Sequence, residues 1–252
     1  MFLSYAILTH NEGKQILNLL DQLIGHIKTS LVESEIVIVD DNSKDPQTQM
    51  ILKKYSITYP FVAVVYRKNE KHFADQKNVL TDLCSGEWIF NLDADETVSN
   101  EMLEMLPKLI ESNPTVDAYW IPRLNIVDGL TQKHVQKWGW KISYLNGIER
   151  MRYIDSQSEE YQFLSQNTLI INEEESLVRY KAPVVMWPDY QMRLYKNDGK
   201  IKWVNPVHEV LVGYKTVGKL PDQPEYAIQH FKNIERQEQQ NELYDKIQKD
   251  RL

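Results

Sequence analysis

The sequence contains a single cysteine, Cys84, and its apolar runs are short. One cysteine excludes an internal disulfide, and the N-terminus lacks the basic region, apolar run and small-residue cleavage site of a signal peptide. These features fit a reducing, cytoplasmic location. Apolar stretches such as residues 36–39 are strand-sized, far below the roughly 20 residues that cross a bilayer. The sequence therefore predicts no membrane-spanning segment, and leaves peripheral association with a membrane open.

The sequence also has no long block of like charges. Its 29 basic and 36 acidic residues give a formal net charge of −7. The negative total disfavours a nucleic-acid partner, although a local basic groove would be compatible with it. The 252 residues can bury a full core without disulfide or metal cross-links. We expect one α/β domain with a C-terminal elaboration.

The first half of the chain alternates between short apolar runs and segments with helical spacing. Strands are predicted at 2–8, 35–39, 61–66, 88–92 and 118–122, and helices at 14–31, 47–55, 73–84 and 101–110. Short buried strands that alternate with helices predict a mostly parallel sheet with helices on both faces. The predicted fold class is therefore α/β.

The second half is less regular. Residues 124–182 are rich in Tyr, Trp, Arg and Gln without a clean period, so no elements are predicted there. Strands are predicted at 191–195, 201–204, 209–212 and 226–231, and a polar helix from about residue 233. That helix is expected to face solvent or to contact another copy of the chain in an oligomer. The pattern divides the chain into 1–122, an elaboration of the same domain at 123–232, and the helix at 233–252.

Polar clusters follow three of the first four predicted strands, at the sheet edge where open α/β sheets place their ligands. They are Thr9-His10-Asn11-Glu12, Asp40-Asp41-Asn42-Ser43, and Asp93-Ala94-Asp95 followed by Glu96. Several carboxylates at one strand end are costly unless a cation joins them, and Mg²⁺ or Mn²⁺ prefers oxygen ligands together with substrate phosphates. We therefore expect a divalent metal at Asp93-Ala94-Asp95. The alternative is a solvated acidic turn before a helix.

Two other segments carry groups suited to a nucleotide. The cluster at 40–43 supplies acceptors for the N–H groups of a base and the hydroxyls of a ribose. Asp75 and Lys77-Asn78 lie on the helix before the fourth strand, where a lysine can meet a diphosphate. Taken separately, the first is also typical of a helix cap and the second of a charged helix face.

Together these segments resemble the N-terminal half of the family 2 glycosyltransferases. In that family the first strand ends in Thr-x-Asn-Glu and the second in Asp-Asp-x-Ser, and an Arg/Lys-Asn helix and an Asp-x-Asp follow. The same motifs occur here in family order over residues 1 to about 122, starting with Thr9 and ending with Asp95. The resemblance implies a GT-A fold, with a Rossmann-like sheet and a nucleotide diphosphate sugar as the donor.

The resemblance also implies roles for individual residues. Thr9 would lie at the nucleoside, Asp41 would accept from the base, Lys77 would approach the diphosphate, Asp93 would touch the ribose or a metal-bound water, and Asp95 would ligate the metal. Asn11, Glu12, Ser43 and Asp75 would belong to the same nucleotide-sugar site.

The C-terminal half carries a second set of motifs. Residues 187–195 and 205–209 look like the Asp-x-Gln-x-Arg-Leu and Val-His-Glu segments of the soluble branch that includes lipopolysaccharide-core β-glucosyltransferases. The family pattern suggests that His208 joins Asp95 at the metal, although a lone histidine is also common as a structural residue. Asp189 and Glu209 are rival candidates for the general base. For either carboxylate the alternative is an ordinary salt bridge.

An aromatic and basic stretch lies within the irregular region. It comprises Trp138, Trp140, Tyr144, Arg150, Arg152 and Tyr153. Aromatic faces stack on sugars and on bases, so the stretch is either an acceptor platform or part of the core.

The motifs and the resemblance together predict a metal-dependent transfer of a sugar from a nucleotide diphosphate sugar, with a uridine nucleotide expected, to an acceptor hydroxyl, expected on a saccharide. The resemblance also implies inversion at the anomeric carbon. A modified DNA base or a protein in a phage-type pathway is the alternative acceptor. A nucleotidyltransferase would usually carry a Gly-rich basic loop after its first strand, where this chain has only Gly13. A non-catalytic glycan-binding protein is the remaining alternative.

Overall fold

The computed structural model describes residues 2–70 and 72–249. The strands are β1 Phe2–Thr9, β2 Glu33–Asp40, β3 Val62–Tyr66, β4 Trp88–Asp93, β5 Glu96–Thr97, β6 Ala118–Asp128, β7 Ile142–Ser143, β8 Glu149–Tyr153, β9 Ile170–Glu174, β10 Leu177–Lys181, β11 Val184–Lys196, β12 Lys202–Val204, β13 Val210–Val212, β14 Val217–Lys219 and β15 Ile228–Asn233. The helices are α1 Lys14–Thr29, α2 Pro46–Thr58, α3 Phe73–Leu83, α4 Asn100–Ser112, α5 Gln132–Trp138, α6 Glu159–Asn167 and α7 Ile234–Lys249.

The main sheet confirms the predicted α/β class. Its strand order is β3-β2-β1-β4-β11-β6-β15-β5, with β7 beside β11 and β14 beside β6. The first four strands of that order are mutually parallel, as the alternation of strands and helices predicts. The long strand β11 then runs antiparallel to both β4 and β6, so the complete sheet is mixed. The carboxyl ends of β1, β2 and β4 lie at one edge.

Helix α1 shows why the first half is regular. Its buried side chains recur at helical spacing and pack into the core that also contains the inward-facing residues of β1 and β2. Asp45 caps the start of α2 by accepting from the Thr48 amide, and Ser99 caps α4 by accepting from the Met102 amide. Local signals of this kind place each element predicted between residues 2 and 112 within a few residues of its position in the structure.

Strands β6 and β11 are longer than predicted. The structure extends β6 to Asp128 and begins β11 at Val184, and the added halves pair with each other. Polar side chains and the Pro188 ring interrupt the apolar alternation of these segments, which hides them from a periodicity argument. Their pairing carries Arg123, Asn125 and Asp189 to the sheet edge where β4 ends.

The unassigned region 124–182 forms a small second layer. Strands β8, β10 and β9 make a three-stranded antiparallel sheet, and its buried face packs with α5 and α6 around side chains such as Phe163 and Tyr180. The other face is exposed at Met151 and Tyr153. These strands have five residues each, so their alternation is too brief to identify them from the sequence.

The predicted C-terminal helix corresponds to α7, and residues 250–252 of the segment 233–252 lie outside the described residues. Across the residues that the structure describes, no helix combines the length and the apolar character needed to cross a bilayer.

Candidate active site

A cavity of about 1000 Å³ opens at the carboxyl ends of β1, β2 and β4. We call the side chains from residues 9–95 its N-terminal wall, represented by Thr9, Asp41, Lys77, Asp93 and Asp95, and those from residues 120–214 its C-terminal wall, represented by Trp120, Asp189, Met192, Glu209 and Tyr214. Strand β15 and helix α7 close the remaining side. This volume falls at the upper end of the range usual for ligand sites in proteins, about 300–1000 Å³.

Asn11 and Ser43 build the loops beneath the cavity, and neither side chain lines it. The Asn11 amide donates to Ser43 Oγ at 2.8 Å, and Asn11 Oδ1 accepts from the Lys44 and Asp45 amides at 2.7 and 2.9 Å. Asn11 has a φ of 56°, a conformation that asparagine tolerates better than most residues. Ser43 Oγ donates to Asp40 Oδ1 at 2.5 Å. These contacts tie the loop after β1 to the loop after β2.

Thr9 and Asp41 face the cavity directly. Asp41 Oδ1 accepts from the Asn69 amide at 2.6 Å, which holds the carboxylate at the end of β2. Within the described chain, Thr9 Oγ1 is buried without a hydrogen-bond partner. A bound ligand can supply that partner, since buried polar groups are rarely left unsatisfied.

Lys77 and Asp75 have different environments although they share helix α3. Asp75 is 60% exposed, lies 3.4 Å from His72 Nδ1, and does not line the cavity. Lys77 is buried, with its ammonium 3.7 Å from Glu209 Oε2 and 4.5 Å from the centroid of the Trp203 ring. Burial, followed by the nearby Arg193 charge, lowers the pKa of Lys77. The lysine therefore joins the two walls.

Asp93 is held by arginine. Arg193 Nη2 lies 2.6 Å from Asp93 Oδ2 and 3.1 Å from Glu96 Oε1, and Glu96 is completely buried. Glu96 Oε2 also accepts from the Asp93 amide at 2.8 Å. Burial opposes ionisation of Asp93, but the charges of Arg193 and Lys77 outweigh it and hold its pKa well below the usual range. Asp93 is therefore an ionised carboxylate fixed by its own neighbours.

Asp95 contacts a histidine that the sequence motifs do not include. Asp95 Oδ2 lies 3.3 Å from His230 Nε2 and 3.7 Å from Arg236 Nη2. Burial opposes ionisation of Asp95, but the charge and hydrogen bond of His230 lower its pKa to about 2. His208 is exposed in the cavity, and its ring meets the edge of Tyr244 at a centroid distance of 5.6 Å.

In the structure His230 is buried on β15, next to Glu96 of β5 in the antiparallel register. One cue in the sequence could have identified it. A histidine in the apolar run 226–231 is unusual in an ordinary strand, since buried histidines need polar partners.

Glu12 and Arg236 meet beside Asp95. Arg236 Nη2 donates to Glu12 Oε1, and in the described chain Glu12 Oε2 is buried without a partner. Burial is the main cause that raises the pKa of Glu12, and the Asp95 charge adds to it. Arg236 comes from helix α7, whose residues Gln237, Gln240, Asn241 and Tyr244 also line the cavity. One face of α7 therefore belongs to the site, beyond the solvent or oligomer contact expected from its polar sequence.

Four donated hydrogen bonds surround Asp189. Arg123 donates from Nε and Nη2 to Oδ2 at 3.0 and 2.7 Å, Asn125 Nδ2 donates to the same oxygen at 3.0 Å, and Gln191 donates to Oδ1 at 2.8 Å. Burial opposes ionisation, but the Arg123 charge and these donors lower the pKa of Asp189. Asp189 is 26% exposed and lines the cavity, so it is an ionised and oriented acceptor of protons.

Asn125 links Asp189 to His230. Its Nδ2 faces the Asp189 carboxylate at 3.0 Å and the Val185 carbonyl at 3.5 Å, both of which only accept. Its Oδ1 therefore faces His230 Nδ1, 2.9 Å away, and that nitrogen must donate. In the neutral imidazole the lone pair is then on Nε2, directed at Asp95 Oδ2.

The aromatic and basic stretch divides between the cavity and the second layer. Trp140 lines the cavity, and its ring lies 4.6 Å from that of Trp138. Arg150 and Arg152 instead pair with Asp128 at 2.9 and 2.8 Å, beneath the small sheet. Trp140 can therefore contact a ligand in the cavity, whereas Arg150 and Arg152 are paired with Asp128 in the second layer.

Metal-binding capacity is limited in the described chain. No group of three or more His, Cys, Asp and Glu residues there is arranged to hold an ion. The nearest approach is the carboxylate–imidazole pair of Asp95 and His230, so an ion at this point would need further ligands from a substrate and from water.

A family model described as "Glycosyl transferase family 2" matches residues 4–181. Among curated proteins, the lipopolysaccharide core biosynthesis glycosyltransferase LpsC of Rhizobium meliloti is 30% identical over 90 residues, 36% of this chain and 33% of that protein. An uncharacterized glycosyltransferase of Mycoplasma pneumoniae is 31% identical over 113 residues, 44% of this chain and 37% of that protein. The matches thus span about a third of the length of each relative.

Among solved structures, residues 1–349 of TarS from S. aureus superpose with a TM-score of 0.54 at 18% identity, covering 92% of this chain and 60% of that one. At this identity the likeness concerns the fold, and it confirms the GT-A architecture.

Proposed function

Because the chain belongs to glycosyltransferase family 2, we propose that it transfers a sugar from a uridine diphosphate sugar to an acceptor hydroxyl, with inversion at the anomeric carbon and with a divalent metal. The observation that carries the proposal is the cavity contact between Asp95 and His230, at 3.3 Å, together with the oriented carboxylate of Asp189 in the same cavity. The pair of Asp95 and His230 suits a cation beside a diphosphate, and the Asp189 carboxylate suits a proton transfer.

The residues present fit a divalent cation. Asp95 is ionised, and the hydrogen bond to Asn125 keeps a proton on His230 Nδ1, so Nε2 faces the carboxylate with a proton in the imidazolium form and with a lone pair in the neutral form. Two lone pairs directed at each other repel unless a proton or a metal ion lies between them. Carboxylate oxygen and imidazole nitrogen are both ligands that Mn²⁺ accepts. We therefore propose Asp95 and His230 as its protein ligands, in place of the predicted pair Asp95 and His208.

The N-terminal wall, together with Arg236 of helix α7, would hold the donor. Thr9 and Asp41 present an unsatisfied hydroxyl and a fixed carboxylate to a nucleoside, and Lys77 and Arg236 bring cations toward a diphosphate. Asp93, fixed by Arg193, would accept from the ribose. TarS has been solved with UDP-GlcNAc and with UDP, which supports a uridine nucleotide as the donor here.

The acceptor would lie against the C-terminal wall. Trp120 and Met186 are partly exposed there, and aromatic faces stack on sugar rings. The name of LpsC supports a saccharide acceptor. A cytoplasmic location, peripheral membrane association and self-association through α7 stay predictions from the sequence.

In the proposed reaction the acceptor oxygen attacks the anomeric carbon from the face opposite the diphosphate. The new carbon–oxygen bond forms as the bond to the β-phosphate oxygen breaks, and the electron pair leaves with UDP. Asp189 takes the acceptor proton, since its lowered pKa keeps it ionised at neutral pH. When bound, the metal supplies charge neutralisation of the leaving diphosphate.

The proposal is tested by incubating the chain with Mn²⁺ and a panel of nucleotide sugars, and by following release of the nucleoside diphosphate with and without oligosaccharide acceptors. We expect release from a UDP-sugar that requires Mn²⁺, and its loss in Asp95→Ala. Equal rates for the wild type and Asp95→Ala would contradict the metal assignment. Asp75→Ala is the matched control, because Asp75 is exposed and outside the cavity.

A further inference from the structure

We infer that Asn125 is a positioning residue whose two amide groups hold the metal-facing His230 and the base Asp189 in one hydrogen-bonded unit. The inference rests on the proposed function. Asn125 belongs to neither the Asp-x-Asp motif nor the C-terminal motifs. Its side chain contacts both the proposed metal ligand His230 and the proposed base Asp189.

Asn125 occupies a suitable place in the sheet. It lies on β6, paired with Val185 of β11 on one side and with His230 of β15 on the other. Its side chain is short and is held at both ends, by the Asp189 carboxylate and by His230 Nδ1. Movement of either partner would therefore break a hydrogen bond to Asn125.

The two ends of the amide have separate tasks. The carbonyl end accepts from His230, which fixes the ring and leaves Nε2 for a cation, as an oxygen acceptor behind a metal-bound histidine generally does. The amino end donates to Asp189 and stabilises its ionised form. Arg123 and Gln191 also donate to Asp189, but among the described contacts only Asn125 joins Asp189 to His230.

Two substitutions separate these tasks. Asn125→Asp keeps an oxygen that accepts from His230 but replaces the donor to Asp189 with a like charge. Asn125→Leu, of similar size, removes both hydrogen bonds. We measure the affinity for Mn²⁺ in the presence of UDP, from the electron paramagnetic resonance signal of free Mn²⁺, and kcat and KM for transfer at saturating Mn²⁺.

In Asn125→Asp we expect kcat to fall by about 10²-fold, as for a misplaced catalytic group, with Mn²⁺ affinity close to that of the wild type. In Asn125→Leu we expect the Mn²⁺ affinity also to fall, by about 10- to 100-fold. Asn197→Leu is the control, since the Asn197 amide donates to the Cys84 and Gly86 carbonyls at 3.0 Å each and does not line the cavity. It should lower the melting temperature without changing Mn²⁺ affinity.

Two results would overturn the positioning role alone, provided that the wild type binds Mn²⁺ in the presence of UDP. In the first, both Asn125 variants lose the same amount of Mn²⁺ affinity. In the second, neither variant changes Mn²⁺ affinity or kcat. A wild type that fails to bind Mn²⁺ in the presence of UDP would overturn the proposed metal site, and the inference with it.

Discussion

The two walls of the cavity are assembled in different ways. The N-terminal wall consists of strand ends and the short loops that follow them, so neighbours in space are often neighbours in sequence. The C-terminal wall and its junction with β15 depend on distant pairs: Asp189 and Arg123 are 66 residues apart, and Asn125 and His230 are 105 apart. The first wall is set by local structure, and the second by the pairing of β6 with β11 and β15.

The carboxylates of the N-terminal wall take their charged partners from the second half of the chain. Asp93 and Asp95 are only two residues apart, but Asp93 is neutralised by Arg193 and Asp95 faces His230, which are 100 and 135 residues downstream. The acidic motif therefore acquires two distinct environments from the second half of the chain. Asp93 is held by an ion pair within the protein, and Asp95 lines the cavity beside His230 and Arg236.

The largest expected effect is on the C-terminal wall, at the proposed base. Asp189→Asn should lower kcat by about 10²- to 10⁴-fold, the usual contribution of a general base, with little change in donor binding. Glu209→Gln is the matched comparison, because Glu209 is the rival carboxylate and its contact is with Lys77. Steady-state transfer assays of both variants decide between them. A larger loss of kcat in Glu209→Gln would transfer the role of base to Glu209.

The next effect concerns the ion pairs that join the two walls. Arg193→Ala would leave Asp93 and the fully buried Glu96 without their main cation, and should cost about 3–5 kcal/mol of unfolding free energy. Arg179→Ala, which removes a partly exposed pair with Glu173, should cost about 1 kcal/mol or less. Urea unfolding measures both. Equal costs would mean that the Arg193 network contributes no more than a surface pair.

A smaller effect should separate the two candidate histidines. His230→Ala removes a proposed ligand and should weaken Mn²⁺ binding in the presence of UDP by at least about tenfold, since one ligand to a cation is lost. His208→Ala removes an exposed ring that packs against Tyr244 and should leave the metal affinity near that of the wild type. Titration calorimetry with Mn²⁺ and UDP distinguishes them. The reverse order would restore the assignment predicted from the sequence motifs.

The features that the sequence predicts lie mostly on the N-terminal side of the same division between the two walls. The strands and helices of residues 2–112 are set by apolar periodicity and caps such as Asp45 and Ser99, so their order and their polar ends are visible in the sequence. The family resemblance then indicates a nucleotide-sugar site at those ends, and Thr9, Asp41, Lys77, Asp93 and Asp95 do line one cavity.

The parts that could not be predicted depend on long-range pairing. His230 reaches Asp95 because β15 pairs with β5 and β6, which no local pattern reveals. Arg236 similarly depends on where α7 packs. Asn11 and Ser43 fit the family motifs and Asp75 lies on the helix that carries one of them, yet the structure places these three side chains outside the cavity lining. Motif spacing identifies a strand end or a helix without fixing the direction of each side chain.

The smallest expected effect tests how the C-terminal wall tunes its base. Gln191 donates to Asp189 Oδ1 and so favours the ionised carboxylate. Gln191→Leu removes that donor, which should raise the pKa of Asp189 toward its ordinary value by under about one unit. Protonation of the base then begins at a higher pH, so the acid limb of the kcat/KM profile should move upward in pH.

In Glu209→Gln the acid limb should stay in place, because the base is unchanged. A shift of the acid limb to lower pH in Gln191→Leu would mean that Gln191 does not stabilise the charged form, and the lowered pKa of Asp189 would then be due to Arg123 and Asn125.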